Sequence, residues 1–175
     1  MRVIAIDWSG RKKYAHRHIW AAEAAGARVI RLACGLSRED IGGWLIEERS
    51  KGKPMIVGLD FAFSMPEWFL ARERMASAPE LWEHVATEGE KWLAECLPPF
   101  WGRPGRRRLG EGPWLRDTDA LAVSGSIGAK SVFQVGGAGA VGTGSIRGMP
   151  LLHWLRAAGW NIWPFDPPGQ QTVIE

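Results

Sequence analysis

The chain has 175 residues, and its 22 Lys plus Arg against 19 Asp plus Glu give a formal charge of +3 and a pI near 9.1. With 46% apolar and 23% charged residues it carries enough apolar side chain for a buried core, which argues against wholesale disorder. No apolar run approaches the roughly 20 residues of a membrane span, and Asp7 cuts the first apolar run too short for a secretory signal.

Two cysteines, Cys34 and Cys96, supply neither a disulfide framework nor metal-ligand spacing. A reduced, cytoplasmic setting is therefore expected, with no membrane partner. The length fits one domain over residues 1–175.

In chain order, Met1 to Trp8 reads as a strand that is apolar on both faces, as suits a central strand. His16 to Ala24 and Ala27 to Cys34 are expected as two further strands joined at Ala25-Gly26, forming a meander. Ser37, with Asp40 three residues on, opens a helix with Ile41, Trp44 and Leu45 on its apolar face. Gly52 and Pro54 stop it near Lys51. Met55 to Leu59 is a second fully apolar strand, followed by Asp60.

Glu67 to Met75 is expected as a short helix and Pro79 to Cys96 as a longer one. Pro98 to Asp117 lacks periodicity and is rich in Pro, Gly and Arg, as functional or mobile loops are. Ser131 to Val135 reads as a short strand, Gly136 to Gly148 as a glycine-dense loop, and Pro150 as the start of a helix closed by Gly159. Asn161 to Phe165 and Gln171 to Glu175 end the chain as extended segments. The result is an α/β fold: a mixed sheet with an antiparallel three-strand meander followed by parallel strands, and helices on both faces.

Asp7 and Asp60 each stand at the C-terminal end of an apolar strand, where α/β sheets place their ligand sites. A meander followed by a helix can return the fourth strand beside the first and parallel to it. Neighbouring strands lie about 4.8 Å apart, so the two carboxylates can converge. A divalent cation relieves their repulsion, and Mg²⁺ favours carboxylate oxygens together with water or phosphate. Such pairs suit displacement at phosphorus assisted by two metal ions. Strand-terminal aspartates also serve simply as turn residues and caps.

Basic residues follow two patterns. Arg11, Lys12 and Lys13 come after the first strand, and Arg103, Arg106, Arg107 and Arg108 cluster in the Pro/Gly-rich stretch. Such runs suit nucleic-acid phosphates, or are simply solvated loops. Arg147 lies beside the glycine-dense segment, whose backbone N–H groups can cradle a phosphate. The 11 tryptophans against one tyrosine are read as core or half-buried residues.

The segments Val3-Ile4-Ala5-Ile6-Asp7-Trp8-Ser9-Gly10 and Val57-Gly58-Leu59-Asp60-Phe61-Ala62-Phe63-Ser64-Met65-Pro66 resemble the family catalogued as domain of unknown function 429. So do Gly142-Thr143-Gly144-Ser145-Ile146-Arg147-Gly148 and Trp163-Pro164-Phe165-Asp166 with Val173-Ile174-Glu175. The resemblance implies an RNase H-like fold and a metal-dependent nuclease using Mg²⁺ or Mn²⁺, in a site with room for two ions. It implies Asp7 and Asp60 as catalytic metal ligands and Glu175 as a third. Phosphates of a nucleic-acid partner then fall to Lys12, Lys13, Arg106, Arg107, Arg108 and Arg147. Against the family pattern the chain stops at Glu175, which implies that a C-terminal segment is lacking. Asp166 stands where a glutamate usually follows the Pro-aromatic pair.

Other readings are weaker. Gly137-Ala138-Gly139-Ala140-Val141-Gly142 spells a dinucleotide fingerprint, but Gly144, Gly148 and Pro150 predict a helix that starts too late for it. His16 and His18 have no third ligand nearby, and Ser9 and Ser64 have no base in sequence. An actin-like ATP-binding protein needs two related lobes, for which the chain is too short. A non-catalytic nucleic-acid-binding or assembly module on the same fold is the main alternative. The oligomeric state, and the choice between DNA, RNA and structured substrates, stay open.

Overall fold

The computed structural model describes residues 1–121 and 128–175. Strand β1 (Arg2–Asp7) is the hub of a six-stranded sheet of order β3-β2-β1-β4-β6-β5. It pairs antiparallel with β2 (Trp20–Ala25), which pairs antiparallel with β3 (Arg28–Cys34) through a turn at Gly26. On its other side β1 runs parallel to β4 (Met55–Leu59), which is parallel to β6 (Gln171–Ile174), itself parallel to β5 (Asn161–Ile162). The antiparallel meander and the parallel return of the fourth strand follow the sequence expectation.

The chain forms two compact units, Met1–Phe61 with Leu151–Glu175, and Ala62–Pro150. In the first, Ile4, Val57 and Val173 sit level across β1, β4 and β6, and none is exposed. Each such burial contributes roughly 1.5–3 kcal/mol. The cover on this face is α1 (Arg38–Ser50), with Ile41 and Leu45 fully buried.

Ser37 caps α1 in a reciprocal box: its hydroxyl accepts from the Asp40 N–H at 3.0 Å, and the Asp40 carboxylate accepts from the Ser37 N–H at 2.9 Å. At the N-terminal end of β1, Arg2 donates to Glu23 on β2 at 2.7 Å and to Glu48 on α1 at 2.6 Å. Lys51 donates to the second Glu48 oxygen at 2.7 Å. Burial pushes the Glu48 carboxyl up, but these hydrogen bonds and charges outweigh it and hold the group below the ordinary range.

The opposite face of the same sheet carries Val3, Ala5, Asp7, Trp20, Val29, Leu32 and Asp60 as exposed side chains. Strand β2 starts later than expected, because Ala15–His18 forms a 3₁₀ turn. Its backbone is satisfied locally, with Arg17 N–H donating to the Tyr14 carbonyl at 3.0 Å.

In the second unit, α2 (Glu67–Arg72) and α3 (Ala78–Glu95) pack around an aromatic cluster. Phe133, fully buried, has ring centroids of Trp68, Phe69 and Phe100 within 5.2–5.6 Å. Trp82, also fully buried, satisfies its indole N–H on the Phe63 carbonyl at 2.7 Å. A short helix, α4 (Asp117–Leu121), follows the Arg-rich stretch. Residues 131–135 form no full strand; a single parallel bridge joins Trp101 to Gln134.

The largest departure from expectation is α5, which spans Gly142–Ala157 with Pro150 inside it, where the sequence had suggested a start at Pro150. Its first turn lies against residues 132–134: Gly142 N–H donates to the Gln134 carbonyl at 3.0 Å, and a Cβ on Gly142 would overlap the Val132 carbonyl. Glycine is needed there for close approach, which offsets its poor helix propensity. Among the described residues no helix is long and apolar enough to cross a membrane.

Candidate functional site

Asp7 and Asp60 are brought together by strand register. Ile6 is level with Leu59 in the parallel β1–β4 pair, and the Asp60 N–H donates to the Ile6 carbonyl at 3.1 Å. The next residues, Asp7 and Asp60, therefore leave adjacent strands side by side at their C-terminal ends. Side chains alternate along a strand, so both carboxylates emerge on the face that carries Ala5 and Gly58. These two small residues are level with each other and leave a shallow floor beneath the acids. Both acids are exposed, and neither is in an ion pair among the described residues.

The residues that follow lock this geometry from the other side. Trp8 and Phe61 are 7% and 6% exposed, with ring centroids 5.1 Å apart. Arg38 of α1 lies 5.8 Å from the Trp8 ring centroid and donates to the carbonyls of Ser9 and Arg11 at 2.6 and 2.8 Å. The acid pair thus stands on strand ends fixed by packing.

Glu175 is placed differently. It follows Ile174, the last residue of β6, which is level with Gly58, and it is exposed beyond the end of the strand pairing. Among the described residues no group of three or more His, Cys, Asp or Glu side chains is poised for a metal ion. Asp166 is committed elsewhere: Arg156 donates to its carboxylate at 3.0 and 3.1 Å, and the Ile162 N–H donates at 3.1 Å. Burial works to raise its pKa, but these bonds and the Arg156 charge hold it below the ordinary range.

The basic residues divide between the units. Lys12 and Lys13 sit exposed in the loop after β1, in the same unit as the acid pair. Arg106, Arg107 and Arg108 are exposed in the second unit, where the Gly102 N–H donates to the Arg106 carbonyl at 2.9 Å and closes a turn. Arg147 also belongs there, but its side chain is only 9% exposed and bonds both Glu90 oxygens, at 2.6 and 3.2 Å. A carboxylate already holds the guanidinium that the sequence reading had offered to phosphate.

Trp20 was passed over in sequence and now stands out. It is the register partner of Asp7 in the β1–β2 pair and is 46% exposed on the face that carries both acids. Directly opposed side chains in an antiparallel pair have Cβ atoms about 4.5–5.5 Å apart. The signal lay in the hairpin register, which a count of tryptophans does not reveal.

The glycine-dense segment also reads differently in three dimensions. Because α5 begins at Gly142, the late helix start no longer argues against a dinucleotide fingerprint. The preceding residues contribute only one isolated bridge, so the strand such a site requires is missing. No family model matches the chain, and no curated protein or solved structure matches it.

Proposed function

We propose that this chain is a Mg²⁺- or Mn²⁺-dependent phosphodiesterase acting on nucleic acid, built on the RNase H-like fold that its resemblance implies. The observation that carries the reading is the placement of Asp7 and Asp60 at the ends of adjacent parallel strands, on one open face with a floor of Ala5 and Gly58. Two unit negative charges roughly 5 Å apart repel by about 1 kcal/mol in water, and by several-fold more where solvent is excluded. A divalent cation removes that repulsion. Two carboxylates with open space around them suit Mg²⁺, which keeps waters and takes the remaining ligands from phosphate.

Asp7 and Asp60 would hold the cation. When bound, it supplies positive charge to the scissile phosphate and acidifies the attacking water. Trp20, across the hairpin from Asp7, is positioned to stack on a base or sugar next to that phosphate. Lys13, exposed in the loop after β1, offers charge to the neighbouring backbone.

The test is Mn²⁺ titration by calorimetry beside a cleavage assay on single-stranded, duplex and hybrid substrates. Asp7→Asn should lose metal-dependent cleavage and weaken Mn²⁺ binding at least ten-fold while keeping the parent's circular dichroism. Equal cleavage by mutant and parent would sink the reading. The lack of a third acidic ligand among the described residues favours a second reading, a non-catalytic nucleic-acid-binding module. Salt-sensitive binding that ignores both Mg²⁺ and Asp7→Asn would select it.

A further inference from the structure

The second unit contains a cavity of about 620 Å³ whose walls include Trp101, Trp114, Arg108, Lys130, Asp117 and Gln134. Small-molecule sites typically enclose about 300–1,000 Å³, so the volume suits a ligand of nucleotide size.

Its aromatic wall is fixed before any ligand arrives. The Trp101 backbone donates to the Phe133 carbonyl at 3.0 Å and accepts from the Val135 N–H at 2.9 Å. The Trp114 carbonyl accepts the Ser131 hydroxyl at 2.5 Å. The two indoles meet edge-on, centroids 5.4 Å apart, and Trp114 also touches Trp68 and Phe133 in the buried cluster. Rings held this way lose little entropy when another ring stacks on them.

The polar groups in the same wall are unspent. The Trp114 indole N–H is buried with no hydrogen-bond partner, which leaves the ring face, not the N–H, as what this residue offers the cavity. Gln134 commits its amide hydrogens to the carbonyls of Gly136 and Ala138, at 3.3 and 3.1 Å, so its own oxygen is the group available to a donor. Arg108 and Lys130 form no ion pair among the described residues. Neighbouring Arg116, by contrast, is consumed by Asp119 at 2.7 and 3.0 Å. Asp117 is the one carboxylate in the lining, so the wall keeps an excess of positive charge.

We propose that this cavity binds a nucleotide, with the base against Trp101 and Trp114 and the phosphate between Arg108 and Lys130. A base supplies a flat π-face to set against the two indoles, and a phosphate supplies the charge that the two cations lack. The site uses neither the acid pair nor a metal, so it stands apart from the phosphodiesterase reading. The nucleotide can be free or can belong to a strand, since both present the same base and phosphate.

The test is calorimetry on the full chain in EDTA, with AMP, adenosine, ribose 5-phosphate and a 5′-phosphorylated tetradeoxyadenylate, alongside NMR of the tryptophan indole N–H signals. Either AMP or the oligonucleotide should bind and shift the Trp114 indole signal; binding of AMP identifies a free nucleotide, and binding of the oligonucleotide alone identifies a strand. Arg108→Gln and Lys130→Gln, both on exposed residues that leave the core intact, should each weaken binding about ten-fold. Trp101→Phe should weaken it less while preserving the cluster. Failure of both AMP and the oligonucleotide to bind would overturn the proposal, as would unchanged affinity in the Arg108→Gln, Lys130→Gln double variant. Ribose 5-phosphate binding as tightly as AMP would also overturn it, because stacking would then contribute nothing. EDTA removes any contribution of bound metal, so failure here is distinguishable from failure of the phosphodiesterase reading.

Discussion

The two units of this chain reach order by different means. In the first, the strand ladder sets the geometry: register alone places Ile4 beside Val57 and Asp7 beside Asp60, and an Arg2–Glu23–Glu48–Lys51 network closes the end of the sheet opposite the acids. In the second, backbone ladders are sparse and the core is a set of interlocked aromatic rings around Phe133. A ladder tolerates side-chain change at many positions because the backbone carries it. A ring cluster does not, because each ring is a large share of the buried area.

The largest expected effect therefore lies in the second unit. Phe133→Ala should cost about 3–5 kcal/mol in urea denaturation and remove much of the near-ultraviolet aromatic signal. A loss under 1 kcal/mol would mean that the cluster is not what orders this unit.

Next comes the ion network of the first unit. Arg2→Ala leaves Glu23 without its cation and Glu48 with Lys51 alone, both side chains being 7% exposed, and should cost about 2 kcal/mol or more. Its pH dependence has a definite sign. The folded-state pKa of Glu48 is depressed, so its contribution is complete above the ordinary carboxylate range and drains away as pH falls through it. Glu48→Gln should thus flatten the acid limb of the stability curve below about pH 4.5. An unchanged limb would remove Glu48 from the network.

Gly42 gives a smaller effect with a telling direction. Ala is the better helix former by about 1 kcal/mol, yet a Cβ at this position in α1 would overlap the ring of Trp154. Gly42→Ala should therefore destabilise the chain by about 1–2 kcal/mol in thermal denaturation. A rise in Tm would mean that Trp154 swings away freely. Smallest of all, Ser37→Ala removes one half of the α1 capping box and should cost about 1 kcal/mol. No measurable change in urea midpoint would show that α1 is held by its packing alone.

What could be read ahead of the structure was local. The apolar runs at Val3–Ile6 and Met55–Leu59 mark β1 and β4, and Ser37 with Asp40 marks the start of α1, because each signal is carried by neighbouring residues. The convergence of Asp7 and Asp60 was legible for the same reason, since a meander and a helix between two strands leave few ways back. The start of α5 was not legible. Gly142, Gly144 and Gly148 look like a loop until their close approach to residues 132–134 is seen. Arg147 looked free for phosphate because Glu90, 57 positions away in sequence, gives no local sign of the pair.

The sequence by itself determined the strand cores, the capped helix and the two strand-end aspartates, since periodicity and capping act over a few residues. Tertiary structure alone decided that Trp20 faces the same side as Asp7, that Arg147 is held by Glu90, and that Trp101 and Trp114 share a cavity with Arg108 and Lys130. Those outcomes depend on strand register and on contacts between distant segments, where shifting a strand by one residue reverses the face of every side chain along it.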